Sequence, residues 1–125
     1  MALAIGGIMP AVAAGFLEVR SFVPSAYAGG AQNWAMCQDS VGRAYFANNA
    51  GMLSFDGERW NVNPLPNYST VRTLLYEGDD DRIYAAGTEE FGYFAPDPST
   101  GVLRYTSLMP SLPRNHPAFT EVWNI

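Results

Sequence analysis

The chain has 125 residues, enough for one ordinary domain with a real core. Hydrophobic residues make up 48%, aromatics 14% and charged residues only 15%; the net charge is −5, and all seven basic residues are arginine. No basic run or stripe is present, which argues against nucleic-acid binding by this segment, and the lone Cys37 cannot close an internal disulfide.

Residues 1–15 are rich in Ala, Ile and Gly and carry no charge. Ala11-Val12-Ala13 fits the small-x-small pattern that precedes a secretory cleavage site. The stretch is too short and too glycine-rich to span a bilayer as a helix. It lacks a basic n-region. The expectation is a signal-peptide remnant, with a first strand or an artificial chain end as the other reading. Ala26-Tyr27-Ala28 is a second formal match, set aside because Phe22, Pro24 and Tyr27 read as part of the fold. Residues 16–31 read as an extended lead-in with one strand at Phe16–Phe22.

Residues 32–69 read as a first repeat unit of four short strands. Trp34-Ala35-Met36-Cys37-Gln38 is the first apolar run, and Asp39-Ser40-Val41-Gly42 breaks it. Ala44-Tyr45-Phe46-Ala47 is the second, ended by Asn48-Asn49-Ala50-Gly51. Met52-Leu53-Ser54-Phe55 is the third. Asp56-Gly57 then turns the chain into Glu58-Arg59-Trp60-Asn61-Val62. Asp-Gly between apolar runs predicts a two-residue type I′ hairpin turn, with φ > 0 at both positions. Pro64-Leu65-Pro66-Asn67 cannot continue a central strand and reads as a linker. Asn67-Tyr68-Ser69 is a formal glycosylation sequon, given little weight.

Residues 70–118 repeat the plan and end in a linker. Val71–Tyr76, Ile83–Gly87, Phe91–Phe94 and Leu103–Tyr105 are the expected strands. Ile83-Tyr84-Ala85 is matched to Tyr45-Phe46-Ala47, 38 residues earlier. A fixed period with four strands per unit predicts an all-β chain of β-propeller blades, each a four-stranded antiparallel meander. Residues 119–125, with Trp123 answering Trp34, read as the first strand of a third blade. Two blades and a fragment make an incomplete ring, since propellers use about four to eight. Open sheet edges would then seek the remaining blades of a parent protein or other copies of the chain.

The combination of Gln32-Asn33-Trp34, Gln38-Asp39, Gly42-x-x-Tyr45-Phe46-Ala47-Asn48-Asn49-x-Gly51, Phe55-Asp56-Gly57 and Trp60 resembles the two-component regulator propeller repeat. Pro64-Leu65-Pro66-Asn67, Val71-Arg72, Ile83-Tyr84-x-x-Gly87 and Phe91-Gly92-Tyr93-Phe94 resemble a second copy. The resemblance covers roughly residues 20–125. It implies a periplasmic sensor segment of a bacterial two-component (hybrid histidine kinase) or LuxR-like triple-tyrosine regulator. Such sensors commonly respond to glycans or their breakdown products. No kinase, receiver, helix-turn-helix or membrane span occurs in these residues, so signalling chemistry is not expected here. The turn at Glu77–Asp81 departs from the shorter Asp39–Gly42 without changing the fold expected.

No catalytic residue, metal ligand or cofactor is expected. Cys37 reads as a small core residue. His116 stands in a proline-rich linker without visible partners. The Glu77–Asp81 cluster lacks the ligand spacing of a known Ca²⁺ loop and reads as a solvated turn. Glu89 and Glu90 are strand neighbours that point apart, so they do not converge as a glycosidase pair. Most of the aromatic residues are expected to fill layers between blades. The ligand-binding candidates are Asn33, Arg72 and Glu121, near the innermost strands of successive repeats, and Asn49 and Thr88, in equivalent second-to-third-strand turns. A glycan or other small ligand is the expected partner, with no nucleic acid and no membrane contact. The alternatives are a fragment of a propeller enzyme acting on polysaccharide and a self-assembling structural propeller module.

Overall fold

The computed structural model describes residue 15 and residues 18–125. It is all-β, built from two open four-stranded antiparallel sheets. The first sheet holds β1 (Asn33–Gln38), β2 (Ala44–Asn48), β3 (Gly51–Phe55) and β4 (Trp60–Asn63). The second holds β5 (Val71–Glu77), β6 (Arg82–Gly87), β7 (Phe91–Pro96) and β8 (Leu103–Ser107). In both, each strand pairs with the next in sequence. Eight short runs rich in β-branched, aromatic and small residues therefore become eight strands, as their patterning predicts.

Three local expectations are corrected. The lead-in is not wholly extended: Pro24–Tyr27 form one helical turn. Proline suits the first helical position, because its missing N–H would be unsatisfied there anyway. Residues 18–22 form no strand, and the rest of the strand expected at Phe16–Phe22 lies outside the described residues, as does the signal remnant apart from Gly15. The Asp56-Gly57 turn is not a two-residue type I′ turn. It spans the four residues between Phe55 and Trp60, and of its members only Gly57 has positive φ, at 104°. The Asp56 carboxylate accepts the N–H groups of Glu58 and Arg59 at 2.9 and 2.8 Å, which favours the wider loop. Glu58 and Arg59 are thus turn residues.

The third correction concerns the repeat register. Cys37 pairs with Tyr45 in the first sheet, and Leu75 pairs with Tyr84 in the second. Tyr45 therefore corresponds to Tyr84, not to Ile83, because the β5–β6 turn is one residue longer. A one-residue slip moves a side chain to the other face of its sheet. This decides how the sheets stack. The first sheet contributes Tyr45, Ala47 and Met52 to the shared core, and the second contributes Leu74, Ile83, Ala85 and Phe94. By register, Ile83 and Phe94 correspond to Ala44 and Phe55, which lie on the opposite face from Tyr45. The sheets stack head to tail, each burying a different face.

Leu65, from the linker between the sheets, is 1% exposed and joins this core. The other face of the first sheet carries Phe46, Phe55 and Trp60. Phe22 and Tyr27 of the lead-in pack on it, with ring centroids 5.2 Å from Trp60 in each case. The expectation that aromatics fill the layer between the sheets therefore holds for Tyr45 and Phe94, with Trp34 and Tyr105 packed against that core, whereas Phe46, Phe55 and Trp60 pack beneath the lead-in instead. It does not hold for Trp123, which is 56% exposed.

Residues 119–125 form no regular strand. Glu121 makes one antiparallel bridge to Thr88, and the Val122 N–H donates to the Gly87 carbonyl at 3.1 Å. The segment thus follows the β6–β7 turn and bridges to no other strand among the described residues.

Candidate functional site: an arginine in a tryptophan corner

β1 and β5 share an irregularity at matching positions. Between Asn33 and Ala35, β1 carries one extra residue, Trp34, relative to β2. Between Val71 and Thr73, β5 carries one extra residue, Arg72, relative to β6. A bulge of this kind breaks the alternation and re-aims the side chain. The counterpart of Arg72 in the first sheet is therefore Trp34, and Asn33 corresponds to Val71.

The re-aimed side chains meet. The Arg72 guanidinium carbon lies 4.1 Å from the Trp34 ring centroid and 4.7 Å from that of Trp123. The two indoles stand 5.6 Å apart at an interplanar angle of 83°, forming a corner that the guanidinium fills. Cations are drawn to the faces of indole rings, and partial desolvation strengthens the attraction. Arg72 Nη2 donates to Glu121 Oε1 at 3.1 Å. Trp34 Nε1 donates to Asn49 Oδ1 at 2.8 Å. Arg72 Nε and Nη1 are buried without a hydrogen-bond partner among the described residues.

All five expected ligand-binding residues lie in or beside this cluster. Arg72 and Glu121 form its ion pair, and Asn49 anchors Trp34. Thr88 bridges Glu121 through the backbone. Asn33 stands next to Trp34 and accepts from Asn48 Nδ2 at 2.8 Å. Sequence reasoning set Trp34 and Trp123 among the aromatics that fill layers and not among the ligand-binding candidates; Trp34 does pack against the core, and it also faces Arg72, as Trp123 does. Their matching place in successive repeats was the available signal. It also missed Asn48, which is fully buried and orders the lead-in beside the cluster.

The close approach at this inner end requires glycine. A Cβ on Gly87 would collide with the carbonyl oxygen of Thr70, so β6 could not lie against the chain entering β5. A hollow of about 310 Å³ opens beside Trp34, lined by Asn33, Ala35, Met36 and Phe46. A cleft of about 330 Å³ at the opposite, outer end is lined by Arg43, Tyr45, Asp56 and Asn61 among others. None of the expected site residues borders that cleft.

The remaining candidates are dispersed. Burial pushes the Cys37 thiol up to about 11, with the Asp39 charge adding to the effect, so its thiolate is scarce at neutral pH. His116 Nδ1 lies 2.8 Å from the carbonyl of Pro117, in a linker. Glu90 is buried and accepts from Ser107 Oγ at 2.6 Å and Tyr105 Oη at 3.1 Å, whereas Glu89 is exposed. The two do not converge. Glu77–Asp81 lie in the exposed end of β5 and its turn, where Asp80 faces Arg82 at 3.5 Å. Among the described residues no group of three His, Cys, Asp or Glu side chains is placed to hold a metal ion. No described helix is long and apolar enough to cross a membrane.

No family model, curated protein or solved structure matches the chain.

Proposed function

We propose that this chain is part of a β-propeller sensor, and that its inner-strand cluster contributes to binding a small ligand such as a glycan. The observation that carries this reading is the head-to-tail stacking of two repeat-related sheets, with matched bulges that turn Trp34 and Arg72 toward one another at the inner end. Blades around a ring stack in this way, and their innermost strands line the mouth where propellers bind ligands. On this reading each sheet is a blade, and residues 119–125 begin a third. The motif resemblance supports an extracytoplasmic, periplasmic setting, in a two-component or LuxR-like regulator whose output lies outside these residues. The segment itself binds and does no chemistry.

The test uses the purified chain and a set of neutral and acidic oligosaccharides. Binding is followed by tryptophan fluorescence and cleavage by new reducing ends. Saturable binding without cleavage is expected. Cleavage that follows the purified chain would favour the polysaccharide-enzyme alternative, and a complete lack of binding would count against the sensor role.

A second reading, assembly between copies, rests on the outer faces. Met36, on the first sheet, is 66% exposed, and Leu75, on the far face of the second, is 46% exposed. These faces are the repeat counterparts of the two that dock inside the chain. Light scattering across concentrations decides the point. A discrete oligomer supports assembly, and a monomer at every concentration rules it out.

A further inference from the structure

Resting on the ligand-binding reading above, we infer that Arg72 is the receptor for a carboxylate on a ring-shaped ligand, and that Glu121 occupies that place when no ligand is bound. The class is defined by chemistry: a carboxylate for the guanidinium, and a ring with a flat or apolar face for the indole beside it. A sugar acid and an aromatic acid both satisfy it.

The argument starts from the incomplete pairing of Arg72. A guanidinium presents a rigid fork of donors that suits a carboxylate with two parallel bonds. Glu121 uses only Nη2, at 3.1 Å. Arg72 Nε and Nη1 remain buried without a partner among the described residues. Leaving buried donors unpaired is costly. The Glu121 backbone is fixed opposite Thr88 by the bonds of its neighbours Thr120 and Val122, so its carboxylate does not reach the two-bond position. A free carboxylate has no such tether.

The segment that carries Glu121 is lightly held. Its backbone bonds run from Glu89 N to Thr120 O at 2.9 Å and from Val122 N to Gly87 O at 3.1 Å, both at the β6–β7 turn. Its other contacts in the cluster are those of the Trp123 ring, 4.7 Å from the Arg72 guanidinium carbon and 5.6 Å from the Trp34 ring. Turning the partly exposed Glu121 side chain aside frees Arg72 for another carboxylate and leaves Trp34, still bonded to Asn49, as a wall for a ring. The side-chain amide nitrogens of Asn33 and Asn49 make no hydrogen bond among the described residues, and both residues are exposed, so they are free to donate to ligand hydroxyls. A ligand carboxylate therefore competes with the Glu121 carboxylate for Arg72. A ligand that selects the open state shifts the population by its differential affinity alone.

The test is a tryptophan-fluorescence titration of the full chain with sodium glucuronate, sodium benzoate, glucose and, for ionic strength, sodium chloride. At least one of the two carboxylates should give a saturable change that glucose and sodium chloride do not. Glu121→Gln should tighten carboxylate binding about tenfold, the factor for a competent state populated at about one-tenth. Arg72→Ala, checked for folding by circular dichroism, should abolish it. Glu121→Gln guards against an Arg72 variant that fails to fold, because it is expected to gain affinity. Response to glucuronate alone would assign sugar acids, and to benzoate alone aromatic acids. If neither carboxylate binds, or if Glu121→Gln leaves affinity unchanged, the inference is wrong. Saturable binding of glucose alone would overturn it while leaving the ligand-binding reading intact.

Discussion

Replacing Asp39 by alanine is expected to lower the unfolding free energy by about 3 kcal/mol, read from urea denaturation. The side chain of Asp39 is 1% exposed, at the turn between β1 and β2. Its Oδ1 accepts the N–H groups of Val41 and Arg43 at 3.1 and 2.9 Å. Its Oδ2 accepts from Arg43 Nε at 2.6 Å and from Tyr45 Oη at 2.9 Å. Alanine would leave the buried Tyr45 hydroxyl and two turn N–H groups without their acceptor. The Arg43 guanidinium is partly exposed and would find water, which limits its share of the loss.

The same site makes stability depend on acid. Burial alone would raise the Asp39 carboxyl. The backbone and side-chain bonds from Arg43 and the bond from Tyr45 outweigh it and hold the carboxyl below its ordinary 3.8. A carboxyl with a lowered folded-state value binds fewer protons folded than unfolded. Its contribution is complete above the unfolded value, near pH 4, and is lost as pH falls through the lower folded value. Asp39→Asn keeps the shape and removes the charge. Urea midpoints taken from pH 6 down to pH 2 should therefore fall less steeply in Asp39→Asn than in the native chain. Parallel curves would show that other carboxyls carry the acid sensitivity.

The strands were legible because each is a short apolar run between Gly, Asn or Asp turns, as in Ala44–Asn48. The helical turn at Pro24–Tyr27 was not, since four residues carry no periodicity. The register between repeats was misread by one residue at Ile83. Both Tyr45 and Ile83 are apolar and buried, so composition could not separate them. Only strand pairing shows that they belong to opposite faces. The site was legible in its residue types but not in its assembly. Arg72 and Glu121 are 49 positions apart, and nothing local links them. A bulge leaves no mark in the sequence beyond one extra residue, yet the bulges at Trp34 and Arg72 bring the cluster together. Trp123, with half of its surface exposed, stands in the cluster beside Arg72 although its type suggests core.

Asn48 supplies the second large effect. It is 0% exposed and makes five hydrogen bonds. Its Nδ2 donates to the carbonyls of Gly30 and Gln32 and to Asn33 Oδ1, at 2.8, 3.0 and 2.8 Å. Its Oδ1 accepts the N–H groups of Gly30 at 2.8 Å and Ala50 at 3.0 Å. One amide thus fastens the lead-in to the β2–β3 turn, beside the tryptophan corner. Asn48→Ala should lose about 3 kcal/mol through unsatisfied polar groups and a small cavity. Asn48→Asp is the sharper test, because it keeps the volume and reverses one edge. An ionised carboxylate there would set an oxygen against three acceptors, so the folded state should favour the protonated acid. Its folded-state value is then raised, and the folded chain binds more protons than the unfolded chain. The deficit relative to the native chain should be smallest below about pH 4 and should grow as pH rises toward neutrality. A deficit that stayed constant with pH would mean that the lead-in detaches and exposes residue 48 to water. In that case the amide would hold the lead-in in place without supporting the sheet beneath it.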